Sequence, residues 1–199
     1  MRIRYCWLLA AVVLWTGCGK EERREATSLY RILNQKQADL TAINALEKDL
    51  LGSTRSWCEG IIANGAGRGR DLDENAVSAN ALAQSASVVS TQLGQLRQTI
   101  YDQPLKQEYP QGVRSALINQ LMKRQKMLQE VRAALEASAA DFLEFARSRS
   151  YKGDTYPEGI AKLNSLLSTY NGPEDAMGKA IEELKVKYTI QDVDLAGKT

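Results

Sequence analysis

The chain has 199 residues, of which 44% are hydrophobic and 25% are charged, and it contains no histidine. The first two proportions are ordinary for a globular domain, so they exclude wholesale disorder and a polytopic membrane protein. The lack of histidine excludes Ser-His-Asp and Cys-His catalysis and most zinc and haem sites. We therefore expect a protein that is not an enzyme and that holds no cofactor or metal.

The amino terminus has the features of an export signal. Arg2 and Arg4 precede an apolar run over residues 7–15, and small residues then lead directly to Cys18. The apolar run is too short to cross the hydrocarbon core of a bilayer, which is about 30 Å thick. A signal peptide over residues 1–17 is therefore favoured over a permanent transmembrane helix.

Thr16 and Gly17 directly before Cys18 resemble the lipobox of bacterial lipoproteins, although Trp15 stands where leucine is usual. The resemblance is confined to the amino-terminal segment. It implies removal of residues 1–17, acylation of Cys18 and attachment to the membrane of the cell envelope. Gly19 after the cysteine implies that, in a Gram-negative cell, the protein is sorted to the outer membrane and faces the periplasm. An uncleaved anchor and an ordinary secreted protein are the alternatives.

Cleavage before Cys18 would change the charge of the protein. It would leave 24 basic and 24 acidic side chains, because the net charge of +2 resides in the discarded segment. A neutral chain offers neither nucleic acid nor anionic lipid a basic surface, so we expect no nucleic-acid partner and a covalent attachment to the membrane. Cys58 would be the only free thiol. We expect it to be buried, with a reactive thiol or an intermolecular disulfide as alternatives.

Apolar residues recur at spacings of three and four, which predicts an all-α fold, an antiparallel helical bundle with coiled-coil-like heptad seams. A lipidated tether over residues 18–25 precedes the bundle, which occupies residues 26–190, and a flexible tail covers residues 191–199. The third helix, residues 111–148, would be about 55 Å long at about 1.5 Å per residue, so we expect an elongated bundle.

Five helices are predicted, and they are separated by residues that commonly start or end a helix. Gly52-Ser53 ends the first, which starts at Ala26; an irregular glycine-rich region follows over residues 56–71; and Asp154 or Thr155 starts the fourth. The predicted seams in chain order are Leu29, Leu33, Leu40, Ile43 and Leu50; Ala79, Leu82, Ala86, Val89, Leu93, Leu96 and Ile100; Leu117, Leu121, Leu128, Val131, Leu135, Phe142 and Phe145; Ile160, Leu163, Leu167 and Tyr170; and Met177, Ile181, Leu184 and Tyr188.

Two polar residues, Arg124 and Ser138, occupy seam positions of the third helix. A seam arginine fixes helix register or extends to the rim, or else it meets an anionic ligand in a pocket between helices. A ligand-binding or sensory bundle is accordingly the alternative function.

The least ordinary feature of the sequence is a long uncharged stretch in the second predicted helix. Residues 75–96 include no charged side chain, although a helix on the surface of a bundle normally exposes charge. We favour a central, surrounded helix here; a surface for a protein partner or for self-association, through Gln84, Thr91 and Gln95, is the alternative.

Arg68 and Arg70 in the preceding glycine-rich segment are a further candidate contact point for an acidic partner or a lipid headgroup. The glycine spacing there does not match a phosphate-binding loop. Taken together, the long seamed helices, the lipid anchor and the neutral surface predict a non-enzymatic scaffold, adaptor or assembly subunit of the cell envelope.

Overall fold

A computed structural model describes residues 4–148, 156–170 and 172–190, and within these ranges the side chains from Gly19 onward. Helices make up most of these segments, and no strand occurs in them. The predicted all-α helical bundle is confirmed. The predicted tail, residues 191–199, and the predicted helix starts Asp154 and Thr155 lie outside the described residues. The helices are α1 (Arg4–Asn64), α2 (Arg70–Tyr101), α3 (Glu108–Arg147), α4 (Glu158–Ser168) and α5 (Ala176–Tyr188).

The described residues form two compact units, which we call unit 1 and unit 2. Unit 1 combines the chain up to Ala38 with Arg97–Gln120 and the residues from Asp175 onward. Unit 2 combines Asp39–Leu96 with Leu121–Glu174. Each unit contains a segment of α1, α2 and α3, with α5 as the fourth helix of unit 1 and α4 as the fourth helix of unit 2.

The first helix is longer than predicted, because it passes through Gly52 and Ser53 and ends only at Asn64. The expected end at Gly52-Ser53 is therefore wrong, and the irregular region is limited to residues 65–69. A glycine inside a helix costs about 1 kcal/mol relative to alanine. The buried stripe continues past it through Thr54, Cys58 and Ile61, and burial of that stripe outweighs the cost of one glycine.

Residues 19–25, expected to form a tether, are also part of α1 and make contacts within unit 1. The Glu25 carboxylate accepts hydrogen bonds from the backbone N–H groups of Lys106 and Gln107, both at 2.8 Å, directly before the start of α3. A carboxylate at this position satisfies donors that the helix itself leaves without partners. The charged segment thus stabilises the connection between α2 and α3.

Two tyrosines complete the packing of unit 1. Tyr188 donates to Glu22 at 2.5 Å, and Tyr109 donates to Glu183 at 2.5 Å. The two rings pack edge to face with their centroids 5.9 Å apart. The hydrogen bond to Glu183, together with burial, raises the pKa of Tyr109 to about 12, because both favour the protonated hydroxyl.

The predicted seam residues are buried apart from four, Leu82, Phe145, Tyr170 and Tyr188, which are half-buried. Leu82 is only half-buried, because the inner stripe of α2 passes through Ala83 in the sequence 72, 76, 79, 83 and 86. Phe145 near the end of α3 is likewise half-buried. Tyr170 and Tyr188 at the ends of their stripes are half-buried, and both hydroxyls donate to carboxylates.

Ser138, the smaller of the two polar seam residues, lies at a close contact between α3 and α4. It is fully buried, and its hydroxyl donates to the Ala134 carbonyl at 2.9 Å. Gly159 of α4 packs against the same turn, where a Cβ atom on residue 159 would lie 2.6 Å from the Ala134 carbonyl oxygen. A small residue in each helix lets the two backbones meet.

Two glycine-to-alanine substitutions should therefore have opposite effects on stability. Gly159→Ala should lower the free energy of unfolding by about 1–3 kcal/mol, because the added methyl group overpacks the contact with α3. Gly52→Ala should raise it by roughly 0.5–1 kcal/mol, since a Cβ there meets no atom within 4 Å. Urea unfolding followed by circular dichroism measures both; a destabilised Gly52→Ala would contradict the continuous α1.

Candidate functional site

The outward side of α2 carries a second heptad-like stripe. Its residues follow each other at spacings of four and three, as the inner seam does, but all of them are exposed. The fractional exposure of Val77 is 69% and that of Val88 is 54%. We call this surface the outer stripe; it consists of Val77, Ala81, Gln84, Val88, Thr91 and Gln95.

The chemistry of the outer stripe is uniform. No charged residue occurs between Asn75 and Leu96, so the stripe itself carries only apolar, hydroxyl and amide groups. Charged neighbours flank it on other helices, namely Asp49 of α1 and Arg132 of α3, whose guanidinium donates to the Ser87 hydroxyl at 3.4 Å. The hydroxyl of Thr91 donates to the Ser87 carbonyl at 2.8 Å, and that of the flanking Ser85 donates to the Ala81 carbonyl at 3.1 Å. Because these hydroxyls already have partners in their own helix, covering them would cost little desolvation energy.

A groove of about 610 Å³ runs between α1 and α2 beside the outer stripe, within unit 2. Leu46 on the α1 side is 45% exposed, and Asp49 is the only ionisable residue in the lining. Leu82 and Val88 line the opposite side, so the exposed apolar area extends from the outer stripe towards α1. The remaining lining residues are Leu50, Ser53, Ala81, Gln84, Ser85 and Val89.

This arrangement corrects our preference for a central α2. Gln84, Thr91 and Gln95 are exposed, so within the described residues no other segment covers this side of the helix. The missing charge thus indicated an unusual helix, but the prediction that this helix is central and surrounded is wrong. The structure brings these three residues together on one stripe, whereas Arg68 and Arg70 lie at the start of α2 and its preceding loop.

Charge placed on the outer stripe should therefore be tolerated by the fold. We expect Gln84→Glu combined with Thr91→Lys to change the free energy of unfolding by no more than about 0.5 kcal/mol, as is usual for exposed positions. Ala83→Glu is the matched control, because Ala83 is 3% exposed and a carboxylate there should cost several kcal/mol. Thermal unfolding separates the two cases; a strongly destabilised double variant would mean that the stripe is covered.

Arg124, the other polar seam residue, lies in a buried polar cluster of unit 2. The carboxylate of Glu47 is fully buried and receives two hydrogen bonds from the Arg124 guanidinium, at 3.1 and 2.5 Å. Asn44 accepts a further hydrogen bond from Arg124 at 2.6 Å. Tyr170 donates to the second carboxylate oxygen of Glu47. The cluster joins α1, α3 and the second residue after α4.

Each charge in this cluster has its counter-charge in the chain itself. Burial and the hydrogen bond to Glu47 raise the pKa of Tyr170, so its hydroxyl remains a donor at neutral pH. An anionic ligand at Arg124 would have to displace the buried Glu47 carboxylate, which would then lose its partner at a large cost. The seam arginine therefore has a structural explanation and gives no support to the ligand-binding alternative.

Single and double substitutions should distinguish a paired cluster from independent residues. Arg124→Leu and Glu47→Leu alone should each destabilise the protein by about 3–5 kcal/mol, because each leaves a buried charge without its partner. The double variant should lose much less than the sum of the two, since no isolated charge remains. Urea unfolding of the four proteins gives the coupling energy; additive losses would contradict the pairing.

The glycine-rich loop before α2 already holds a carboxylate of the chain. The Arg68 backbone N–H donates to Asp71 at 3.3 Å, and Gly65, Gly67 and Gly69 all have positive φ angles. Asp71 thus already accepts from one of the backbone N–H groups that an external anion would use. Arg70 forms an exposed ion pair with Glu74 at 2.7 Å, a type of contact that contributes little to stability. Neither finding favours a phosphate or headgroup site at this loop.

Cys58 is buried, as predicted, with 1% exposure. Burial, and to a smaller extent the charge of Glu59, raise the pKa of its thiol to about 11. The nucleophilic thiolate form is therefore rare at neutral pH.

Metal-binding clusters and membrane-spanning helices are both absent from the described residues. Among those that the structure describes, no group of three or more histidine, cysteine, aspartate or glutamate residues is arranged to hold a metal ion. None of the described helical segments is long and apolar enough to cross a membrane. Comparisons of the chain with protein-family models, with curated proteins and with solved structures give no match.

Proposed function

We propose that this chain is a lipid-anchored protein of the cell envelope that acts as a non-enzymatic scaffold, adaptor or assembly subunit. The observation that carries the proposal is the outer stripe of α2. It is exposed, free of charge and spaced as a helix-packing seam, and such a surface is typical of a site where another helix docks. A surface with no such role would normally carry the charges found elsewhere on this chain.

The lipobox-like sequence at Cys18 supports the anchor. Three acyl chains would hold the protein firmly, because each buried methylene contributes about 0.8 kcal/mol and two lipid chains already suffice for stable attachment. If the protein is attached in this way, outer-membrane sorting in a Gram-negative cell follows from Gly19, as the lipoprotein resemblance implies.

The contacts of Glu22 and Glu25 support a close connection between anchor and fold. Both residues follow Cys18 within two helical turns, and both are bonded to other segments of unit 1. A lipid on Cys18 would therefore be joined to unit 1 by helix and not by a loose linker. Such a connection suits a protein whose role depends on a fixed position at the membrane surface.

Cys18→Ser should abolish acylation and leave either the uncleaved precursor or a soluble product. We expect radiolabelled palmitate to enter the wild-type chain and not the variant, and fractionation to move the variant out of the membrane unless the precursor keeps its signal segment. Cys6→Ser is the control, because Cys6 lies in the segment that cleavage removes and should not affect labelling.

Two results would refute the anchor. One is labelling of the Cys18→Ser variant, and the other is a wild-type chain that takes up no fatty acid in a bacterium that acylates other lipoproteins. Either result would favour the uncleaved anchor or the ordinary secreted protein.

A further inference from the structure

We infer that the partner of the outer stripe is a second copy of this chain, bound by packing of α2 against α2. The inference deepens the proposed function, since it rests on the stripe as a docking surface and names what docks there.

The lack of charge on the stripe suits a symmetric contact. In a twofold homodimer the same patch lies on both sides of the interface, so every charged residue near the axis approaches a like charge. A patch that binds a different protein can instead use charges of one sign against the opposite sign on its partner. Residues 75–96 contain neither sign, although a quarter of the chain is charged, which favours contact with itself.

The polar groups of the stripe are also complementary to themselves. Gln84 and Gln95 carry amide groups, which both donate and accept hydrogen bonds, so two copies can pair without a group of another type. A carboxylate or an ammonium group could not do so. Amides in a helix-packing seam lower affinity but select register and partner.

The spacing and the apolar residues suit helix pairing. The four-and-three spacing from Val77 to Gln95 keeps all six side chains on one side of α2. Val77, Ala81 and Val88 supply the apolar contacts, and Leu46 extends the apolar area beside them. The stripe thus combines hydrophobic contact with uncharged polar groups that set the register.

The contact area predicts a weak dimer whose formation depends on confinement at the membrane. A 22-residue helix is about 33 Å long and about 10 Å wide, so one pair of helices buries roughly 700 Å², less than the roughly 1,200 Å² of a stable specific interface. Anchoring both copies in one bilayer raises their effective concentration and favours pairing. The test therefore uses the full chain in its membrane.

The experiment introduces one reactive cysteine in the middle of the outer stripe. Val88→Cys is expressed as the full chain, and intact membranes are treated with a short bismaleimide crosslinker. Residue 88 lies close to the midpoint of the stripe, so parallel and antiparallel pairing both bring the two copies within about 6 Å along the axis. Met122→Cys on α3 is the matched control, because Met122 is 46% exposed and Val88 is 54% exposed.

The native Cys58 should not interfere, because it is buried and its thiol has a raised pKa. We expect a covalent homodimer, identified by mass spectrometry, as the main crosslinked product of Val88→Cys and only traces of it for Met122→Cys. Adducts of Val88→Cys with other envelope proteins and no homodimer would overturn the inference in favour of a different partner. Equal homodimer from both positions would also overturn it, since it would reflect random collisions in the membrane.

Charge variants supply an independent test of self-contact. In the Val88→Cys chain, Gln84→Glu with Thr91→Glu should reduce the homodimer at least about tenfold, which corresponds to about 1.4 kcal/mol. Gln84→Lys with Thr91→Lys should do the same. Co-expression of the acidic and basic chains, carrying different epitope tags, should restore crosslinking between them, because opposite charges then face each other. No restoration would contradict contact of the stripe with itself.

Palmitate labelling of the same samples separates this inference from the proposed anchor. Labelled protein without a specific homodimer would overturn the self-association and leave the anchor standing. A specific homodimer of unlabelled protein would overturn the anchor and support the self-association.

Discussion

The fold depends on one constraint, which is that polar residues at seam positions of the helices need hydrogen-bond partners inside the protein. Arg124 meets this requirement by pairing with Glu47, whose second carboxylate oxygen receives the hydroxyl of Tyr170. Thr54 and Ser138 meet it by donating to carbonyls of their own helices. Because an unsatisfied buried group costs on the order of 1–3 kcal/mol, the contacts of Glu47 with Arg124 and Tyr170 favour the packing of α1 against α3 in unit 2.

The same constraint makes the outer stripe of α2 unusual. The inner stripe already buries Leu72, Leu93 and Ile100, so the helix needs no second apolar face for its own folding. The outer stripe nevertheless repeats the packing period and lacks the charges that keep a helix surface solvated. Its placement next to an open groove is the basis for assigning it a docking role, and its neutrality is the basis for assigning that role to a second copy.

Most of the fold was predictable because apolar periodicity is a local signal, whereas several details depend on tertiary contacts. Gly52 was predicted to end the first helix, but α1 continues past it because the apolar stripe beyond it is buried. Glu47 was missed, although it falls between Ile43 and Leu50 at seam spacing and could have been paired with Arg124. The uncharged residues of α2 were recognised as exceptional, but the sequence alone could not show whether that face was covered or exposed.

Self-contact of the outer stripe is the central claim, and the distance between two copies of residue 88 tests it most directly. Nitroxide labels on Val88→Cys would report that distance by pulsed electron paramagnetic resonance. The labelled full chain is measured in its membrane, at several dilutions with unlabelled protein. Because packed helix axes lie about 8–10 Å apart, we predict a defined distance below roughly 30 Å that includes both label arms. A signal showing only randomly distributed labels, in a membrane-bound protein, would contradict the account.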